Sequence, residues 1–239
     1  MRQLYPVAVD PVDPADVYGD LPDAGPRPSL RLNMIASADG ATTVAGVSGG
    51  LGGSADRALF LLLRTLADVV LVAAGTMRAD RYGPSSVPVA VVSRSCRFDW
   101  DAPFFSAQKA RPIVVTVAEA PGPLRARAAE VAQVVIAGEH DVDPVRALDE
   151  LGALGFRSVL AEGGPSLNAQ LAAAGLIDEL CLTLAPSLVG GYAKRLLDGP
   201  PLPVPTTLRL RSLCEQDGFL FLRWRRAAEA GRRRPATPG

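Results

Sequence analysis

Apolar and polar positions along the chain fall into short blocks of two periods. Ser29–Ser37 reads as a strand, and Ala38-Asp39-Gly40 turns it. Leu59, Leu62, Leu63 and Leu66 recur at helical spacing behind a candidate N-cap at Ser54, with Asp56 suiting the helix dipole in the first turn. Residues 67–74 form a continuous apolar run of strand length, as a central strand buried on both faces requires. Further strands are predicted over 87–92, 112–117, 133–136 and the run that ends at Val159 and Leu160. Helices are predicted over 124–130, over 142–152 with Leu148 and Leu151 facing in, and from Pro165, where Leu167 and Leu171 lead to a stop at Gly175. After a strand at 177–184 come two alternating runs, 207–214 and 218–224, separated by Glu215-Gln-Asp-Gly218, a hairpin signal. Strands alternating with helices predict a single α/β domain over 29–226, with a central mostly parallel sheet, flanking helices and a C-terminal antiparallel hairpin. Residues 1–28, rich in Pro and Asp, are expected to form an extended arm, and 227–239 a solvated basic tail.

The polar residues that interrupt this pattern cluster just past predicted strand ends, where open α/β sheets hold ligands. Past the strand at Leu160 comes Glu162-Gly163-Gly164-Pro165-Ser166-Leu167. The two glycines allow a sharp turn and a close ligand approach, and Pro165 suits the first helical position. The amides from Gly164 to Leu167 then converge on an anion site, whose usual occupant in such a fold is a cofactor phosphate; an ordinary strand-to-helix turn is the plain alternative. The central apolar run ends in Gly75-Thr76-Met77-Arg78-Ala79-Asp80, a polar and acidic cluster. The strand at 87–92 ends in Ser93-Arg94, a hydroxyl and a guanidinium suited to the 2′-phosphate that distinguishes NADP from NAD, or simply a polar strand exit. The Gly-rich stretch from Gly46 to Ser54 has neither the lysine of a P-loop nor the spacing of a dinucleotide fingerprint, and reads as a mobile loop over a site. Arg64 falls off its helix's apolar stripe, as a solvated residue or as a phosphate clamp.

Composition narrows the function classes. Apolar residues make up 48% of the 239 positions but aromatics only 5%, so the core is built from Ala, Val and Leu. The 25 basic and 25 acidic side chains cancel, which argues against a nucleic-acid or membrane-surface protein. Cys96, Cys181 and Cys214 make neither a metal spacing nor a disulfide framework, fitting a reducing cytoplasm; no metal site is expected. His140, the single histidine, lies in a polar loop, so histidine-based nucleophilic catalysis is not expected. No long uncharged apolar run predicts a membrane span.

Ser37-Ala-Asp39-Gly40, Gly75-Thr-Met-Arg-Ala-Asp80 and Glu162-Gly-Gly-Pro-Ser-Leu167, in this order and spacing, resemble the reductase domain of the riboflavin-biosynthesis deaminase–reductases, which has a dihydrofolate reductase-like fold. The likeness spans roughly residues 29–226. It implies an NADPH-dependent reductase that converts the ribosylamino side chain of a pyrimidinone 5′-phosphate to ribitylamino by hydride transfer to the sugar C1, on either the 2,5-diaminopyrimidinone or the 5-amino-uracil form. By resemblance Thr76 and Asp80 lie at the nicotinamide end. Ala36 lines the cofactor, the loop from Gly164 to Gln170, with Pro165, Ser166 and Leu167, wraps its phosphates, and Ser93 sits near its 2′-phosphate; Gly163 and Arg94, next to these, complete the cofactor-binding candidates. Ser48, Arg64 and Glu162 match substrate-facing positions. Asp80 is the first candidate for proton handling and Glu162 the second. Family members are commonly homodimers, and here the reductase unit is expected without its deaminase. The family's usual acidic or Asn residue, Pro and downstream arginine after the aspartate are replaced by Arg81-Tyr82-Gly83-Pro84, with no further arginine until Arg94. Arg64 and Arg81 would then have to hold a substrate phosphate. A dihydrofolate-like pterin reductase and a non-catalytic NADP-binding protein are the alternatives.

Overall fold

Ten strands lie in one sheet in a computed structural model of the chain, which describes residues 1–107 and 109–227. In chain order the elements are β1 (Arg2–Tyr5), α1 (Pro14–Tyr18), β2 (Ser29–Ser37), α2 (Ser54–Thr65), β3 (Val69–Ala73), α3 (Ala74–Ala79), β4 (Val89–Val92), α4 (Pro103–Ser106), β5 (Ile113–Thr116), α5 (Gly122–Val131), β6 (Gln133–Ile136), α6 (Pro144–Ala153), β7 (Ser158–Ala161), α7 (Pro165–Ala173), β8 (Glu179–Ala185), β9 (Leu208–Gln216) and β10 (Phe219–Arg226). The sheet order is β1-β9-β10-β8-β2-β7-β3-β4-β5-β6. The seven strands from β8 to β6 are parallel; β10, β9 and β1 continue the sheet antiparallel. This is the expected dihydrofolate reductase-like α/β arrangement, hairpin included.

The parallel strands β3, β4, β5 and β7 are apolar on both faces because both faces are covered. Val69 to Val72, Val89 to Val91, Ile113 to Val115 and Val159 to Ala161 are all buried. On α2, Leu59 and Leu63 are buried as their spacing predicts. Its N-cap is Gly53 without a side-chain cap, and Ser54, expected as the cap, is the first helical residue, so the helix starts one position earlier than expected.

Residues 1–28 differ from the extended arm read in the sequence. They supply β1, paired with β9, and α1, capped by Asp13 and begun by Pro14. Long-range charge pairing orders this segment rather than any local pattern. Buried Glu179 on β8 accepts from Arg31 (2.5 Å), Arg223 (2.8 Å) and Arg225 (2.8 Å). Arg223 and Arg225 also hold Asp20, and Arg31 donates to the Tyr18 and Asp20 carbonyls. Burial alone would raise the Glu179 carboxyl; the arginines outweigh it and hold it low. The expected basic tail lies, Ala227 apart, outside the described residues.

Candidate functional site

Topology fixes where a ligand sits. From β7 the chain leaves through α7 toward β8 on one side, and from β3 through α3 toward β4 on the other. The crevice between the ends of β7 and β3 is the switch point at which doubly wound sheets bind ligands. The sheet edge is also stepped there. Ala161, the last residue of β7, pairs with Leu32, whereas β2 continues to Ser37 alongside Ala185 of β8. The Gly163–Gly164 turn lies in the notch.

That turn is pinned to α3. Ala73 N–H donates to the Gly163 carbonyl (2.8 Å), and the Gly163–Gly164 peptide is cis. Gly163 has φ +92°, a region that favours glycine. A Cβ built on Gly164 would stand 2.5 Å from Thr76 Oγ1, so the second glycine is required by the approach of α3. Asn168 N–H makes the first intrahelical bond of α7, to Gly164 O (2.9 Å). The N–H groups of Ser166 and Leu167 therefore point past the helix start, where the dipole favours an anion. Pro165 occupies the first helical position; Ser166 is exposed and Leu167 buried. Ala36, on the protruding part of β2, is buried.

Glu162, also in the notch, is locked. Arg64 grips it with Nε and Nη2, both at 2.7 Å, and Tyr82 Oη donates at 2.6 Å. The Arg64 guanidinium lies over the Phe60 ring (4.4 Å to the centroid) and near Tyr82 (5.2 Å). Burial acts to lower the Arg64 pKa, but the Glu162 pair more than offsets it and leaves it raised. Burial and then the neighbouring carboxylate push the Tyr82 phenol well above its ordinary value, so it is a donor to Glu162 and not an acid. Two residues expected to face substrate independently are thus each other's partners. Tyr82 carries no motif and was not singled out in the sequence.

Asp80 is held differently. It closes α3 and accepts from Ser48 N–H (3.2 Å) and Ser48 Oγ (2.9 Å), fastening the Gly-rich loop over the switch point. Arg81 beyond it takes φ +49°, and Tyr82 N–H reaches back to Met77 O (3.0 Å), a left-handed helix stop. Asp39 anchors a second covering segment. It accepts from Ser37 Oγ (2.5 Å), Val189 N–H (3.1 Å) and Gly190 N–H (2.7 Å), which bring its carboxyl down to about 2.

A cavity of about 570 Å³ opens between the ends of β3 and β4, lined by Gly75, Arg78, Ser93, Arg94 and His140 among others. Ser93 is buried and accepts from Cys96 N–H (3.2 Å); Arg94 is exposed and paired with Asp141 (2.8 Å). Arg78 and His140 join the predicted Ser93–Arg94 pair, so three cationic or protonatable side chains converge. Arg78 lies inside a quoted motif and gave no signal of its own; His140 is exposed, as its loop predicts.

A fourth acid was read only as a helix-dipole residue. Asp56 is half-buried on α2, and burial, only partly offset by the Thr183 hydroxyl, raises its carboxyl above the ordinary value. Among the described residues no helix is long and apolar enough to cross a membrane.

The sequence profile of the RibD C-terminal domain matches residues 28–218. A 2,5-diamino-6-ribosylamino-4(3H)-pyrimidinone 5′-phosphate reductase of Methanothermobacter thermautotrophicus is 32% identical over 185 residues, covering 72% of this chain and 85% of that protein. The protein of the same name from Aquifex aeolicus is 30% identical over 174 residues, 68% of this chain and 78% of that one. The crystal structure of a pyrimidine reductase-like protein from Corynebacterium diphtheriae superposes with a TM-score of 0.77 at 28% identity, covering 90% of this chain and 99% of that one.

Proposed function

Because the chain belongs to the RibD C-terminal domain family, we propose that it is an NADPH-dependent reductase acting on a ribosylamino-pyrimidinone 5′-phosphate. The observation that carries this reading is the apposition of Gly164 and Thr76 at the β7–β3 switch point, beside a cavity walled by Arg78 and Arg94. Residues fit the cofactor at both ends. The Ser166 and Leu167 amides suit a pyrophosphate, and Arg78, Ser93 and Arg94 suit a 2′-phosphate. When bound, the reduced nicotinamide supplies the hydride that C1 of the open-chain imine accepts, while the imine nitrogen takes one proton.

The protein's part is positioning, exclusion of water and that proton. Asp80 is the group that handles it, by relaying a proton from solvent or by polarising the substrate: its hydrogen bonds come from one serine on a glycine-rich loop, partners that a ligand group can replace. Glu162 is not, because a bidentate guanidinium and a phenol already saturate it and hold it in place. With Arg64 committed to Glu162, exposed Arg81 is left as the guanidinium next to Asp80 for the substrate phosphate.

The test follows NADPH oxidation with the ribosylamino-pyrimidinone phosphate and with dihydrofolate side by side. Turnover of the first supports the proposal, and turnover of dihydrofolate alone points to a pterin reductase. Binding of NADPH with oxidation by neither points to a non-catalytic NADP-binding protein. Asp80→Asn is expected to keep NADPH affinity and lose most turnover; unchanged turnover removes Asp80 from the proton step.

A further inference from the structure

Of the three motifs, Ser37-Ala-Asp39-Gly40 has no part in the proposed chemistry. The Asp39 carboxylate accepts from Ser37 Oγ (2.5 Å), Val189 N–H (3.1 Å) and Gly190 N–H (2.7 Å), and no cation pairs with it among the described residues. Two of these donors belong to the segment 187–200, which follows β8 and forms neither helix nor strand. None of its residues is buried. Hydrogen bonds, more than apolar burial, therefore hold it, which places it among the parts of a fold that open most readily.

Those bonds join two places. On one side is the turn after β2. Ala38 N–H donates to Ser187 O (2.9 Å), and Thr42 donates from N (3.3 Å) and from Oγ1 (2.9 Å) to Lys194 O. On the other side is the first turn of α7. Asp198 N–H donates to Pro165 O (3.1 Å) and buried Asn168 donates from Nδ2 to Leu196 O (3.1 Å), while a Cβ on Gly199 would stand 2.8 Å from that of Ala169. The segment is thus a strap between the end of β2 and the start of α7. Sheet pairing does not span that gap, because β7 leaves the ladder at Leu32 while β2 runs on to Ser37.

Resting on the reading that cofactor phosphates sit on the Ser166 and Leu167 amides, we infer that Asp39 is a positioning residue for the cofactor: it fastens the strap that holds the start of α7 against the end of β2, and bound cofactor in turn holds the strap down. A site whose competent form is only partly populated binds more weakly in that proportion. A ligand that prefers the docked form shifts the strap toward it, and the coupling is the same read from either side.

Lys194 and Arg195, both exposed on the strap, are its trypsin sites. The experiment follows cleavage after these two residues by mass, with and without NADPH, together with the NADPH Kd and kcat of the wild type, Asp39→Ala and Thr42→Val. In the wild type, NADPH at about twenty times its Kd is expected to slow this cleavage by up to ~20-fold. Asp39→Ala is expected to speed cleavage of the free protein and to raise the NADPH Kd ~10-fold, with kcat at saturating NADPH retained. Thr42→Val removes one hydrogen bond of the same anchor and is expected to act in the same direction, less strongly; it decides with the wild type if Asp39→Ala does not fold. A merely structural Asp39 would lower Tm and leave both Kd and the protection by NADPH unmoved. That result, or a fall in kcat at unchanged Kd, or wild-type cleavage that NADPH does not slow, overturns the inference while the proposed function stands. A wild type that binds no NADPH overturns the proposed function and this inference together.

Discussion

Removing Arg64 tests whether the Arg64–Glu162 pair is scaffold or ligand clamp. The Glu162 side chain is 2% exposed and that of Arg64 17%, so Arg64→Met leaves a carboxylate in a dry notch with Tyr82 as its remaining donor. Two unit charges with centres about 4 Å apart at an effective dielectric near 20 attract by about 4 kcal/mol. Breaking a buried pair by removing one partner costs ~3–5 kcal/mol, whereas an exposed pair is worth ~1 kcal/mol or less. For a chain of this size that predicts a fall in Tm on the order of 10 °C. The assay is urea denaturation of the wild type, Arg64→Met, Glu162→Leu and the double variant, read as a double-mutant cycle at constant slope. The double variant has no stranded charge and is expected to recover most of the loss. A single-variant cost below about 1 kcal/mol, or a double variant as unstable as the sum of its singles, refutes the reasoning. The recovered double variant then answers a second question. Normal kcat and KM make the pair scaffold alone; a raised KM at restored stability means that substrate touches it.

Gly164→Ala drives a methyl to 2.5 Å from the β-branched Thr76 and is expected to cost ~1–3 kcal/mol and weaken NADPH binding; Thr76→Ala in the same chain relieves the clash, and failure to rescue stability argues against the apposition. Ser93→Ala with Arg94→Ala is expected to weaken the preference for NADPH over NADH in paired Kd measurements, and an unchanged ratio moves the 2′-phosphate elsewhere. Titration of His140 supplies a pH test. Glu119, with Glu139 and Asp141 nearby, raises its pKa, so the cation is present at low pH and is lost as pH rises through that raised value. NADPH affinity is expected to fall across that window, beginning near the ordinary histidine pKa of about 6.5, and His140→Gln to flatten the slope; a slope that survives the substitution excludes His140.

Much of the fold was legible because buried parallel strands write themselves as apolar runs. Residues 69–73, 89–92, 113–116 and 133–136 all lie inside predicted strands, and the turn at Glu215–Gly218 marks the hairpin. What escaped is held by distant charge or is too short to show a period. Asp10-Pro11 and Asp13-Pro14 disguise a segment that folds because Arg31, Arg223 and Arg225 gather around Glu179 and Asp20. α3 has six residues and buries only Ala74 and Met77, too few for a helical pattern to be counted. The motifs marked Thr76, Asp80, Glu162 and the glycines, and the structure brings them to one crevice. They could not show that Arg64 serves Glu162, a pairing across 98 positions, or that Tyr82 completes it.

Partner chemistry separates the acids that hold the site from those that face the ligand. A buried carboxylate in bidentate contact with a half-buried guanidinium cannot exchange partners without stranding two charges, so the Glu162–Arg64 pair ties the end of β7 to α2. Asp80 is bound by one hydroxyl and one loop amide, and a ligand N–H or O–H can replace such donors at little cost because no opposite charge is left behind. Because its partners lie on the glycine-rich loop, exchange of partners at Asp80 requires that loop to release Ser48. A Cβ at Gly50 would stand 2.9 Å from Val44 and one at Gly53 3.0 Å from Phe219, so close packing of that loop is one reason why a chain otherwise dense in apolar periodicity breaks its pattern there.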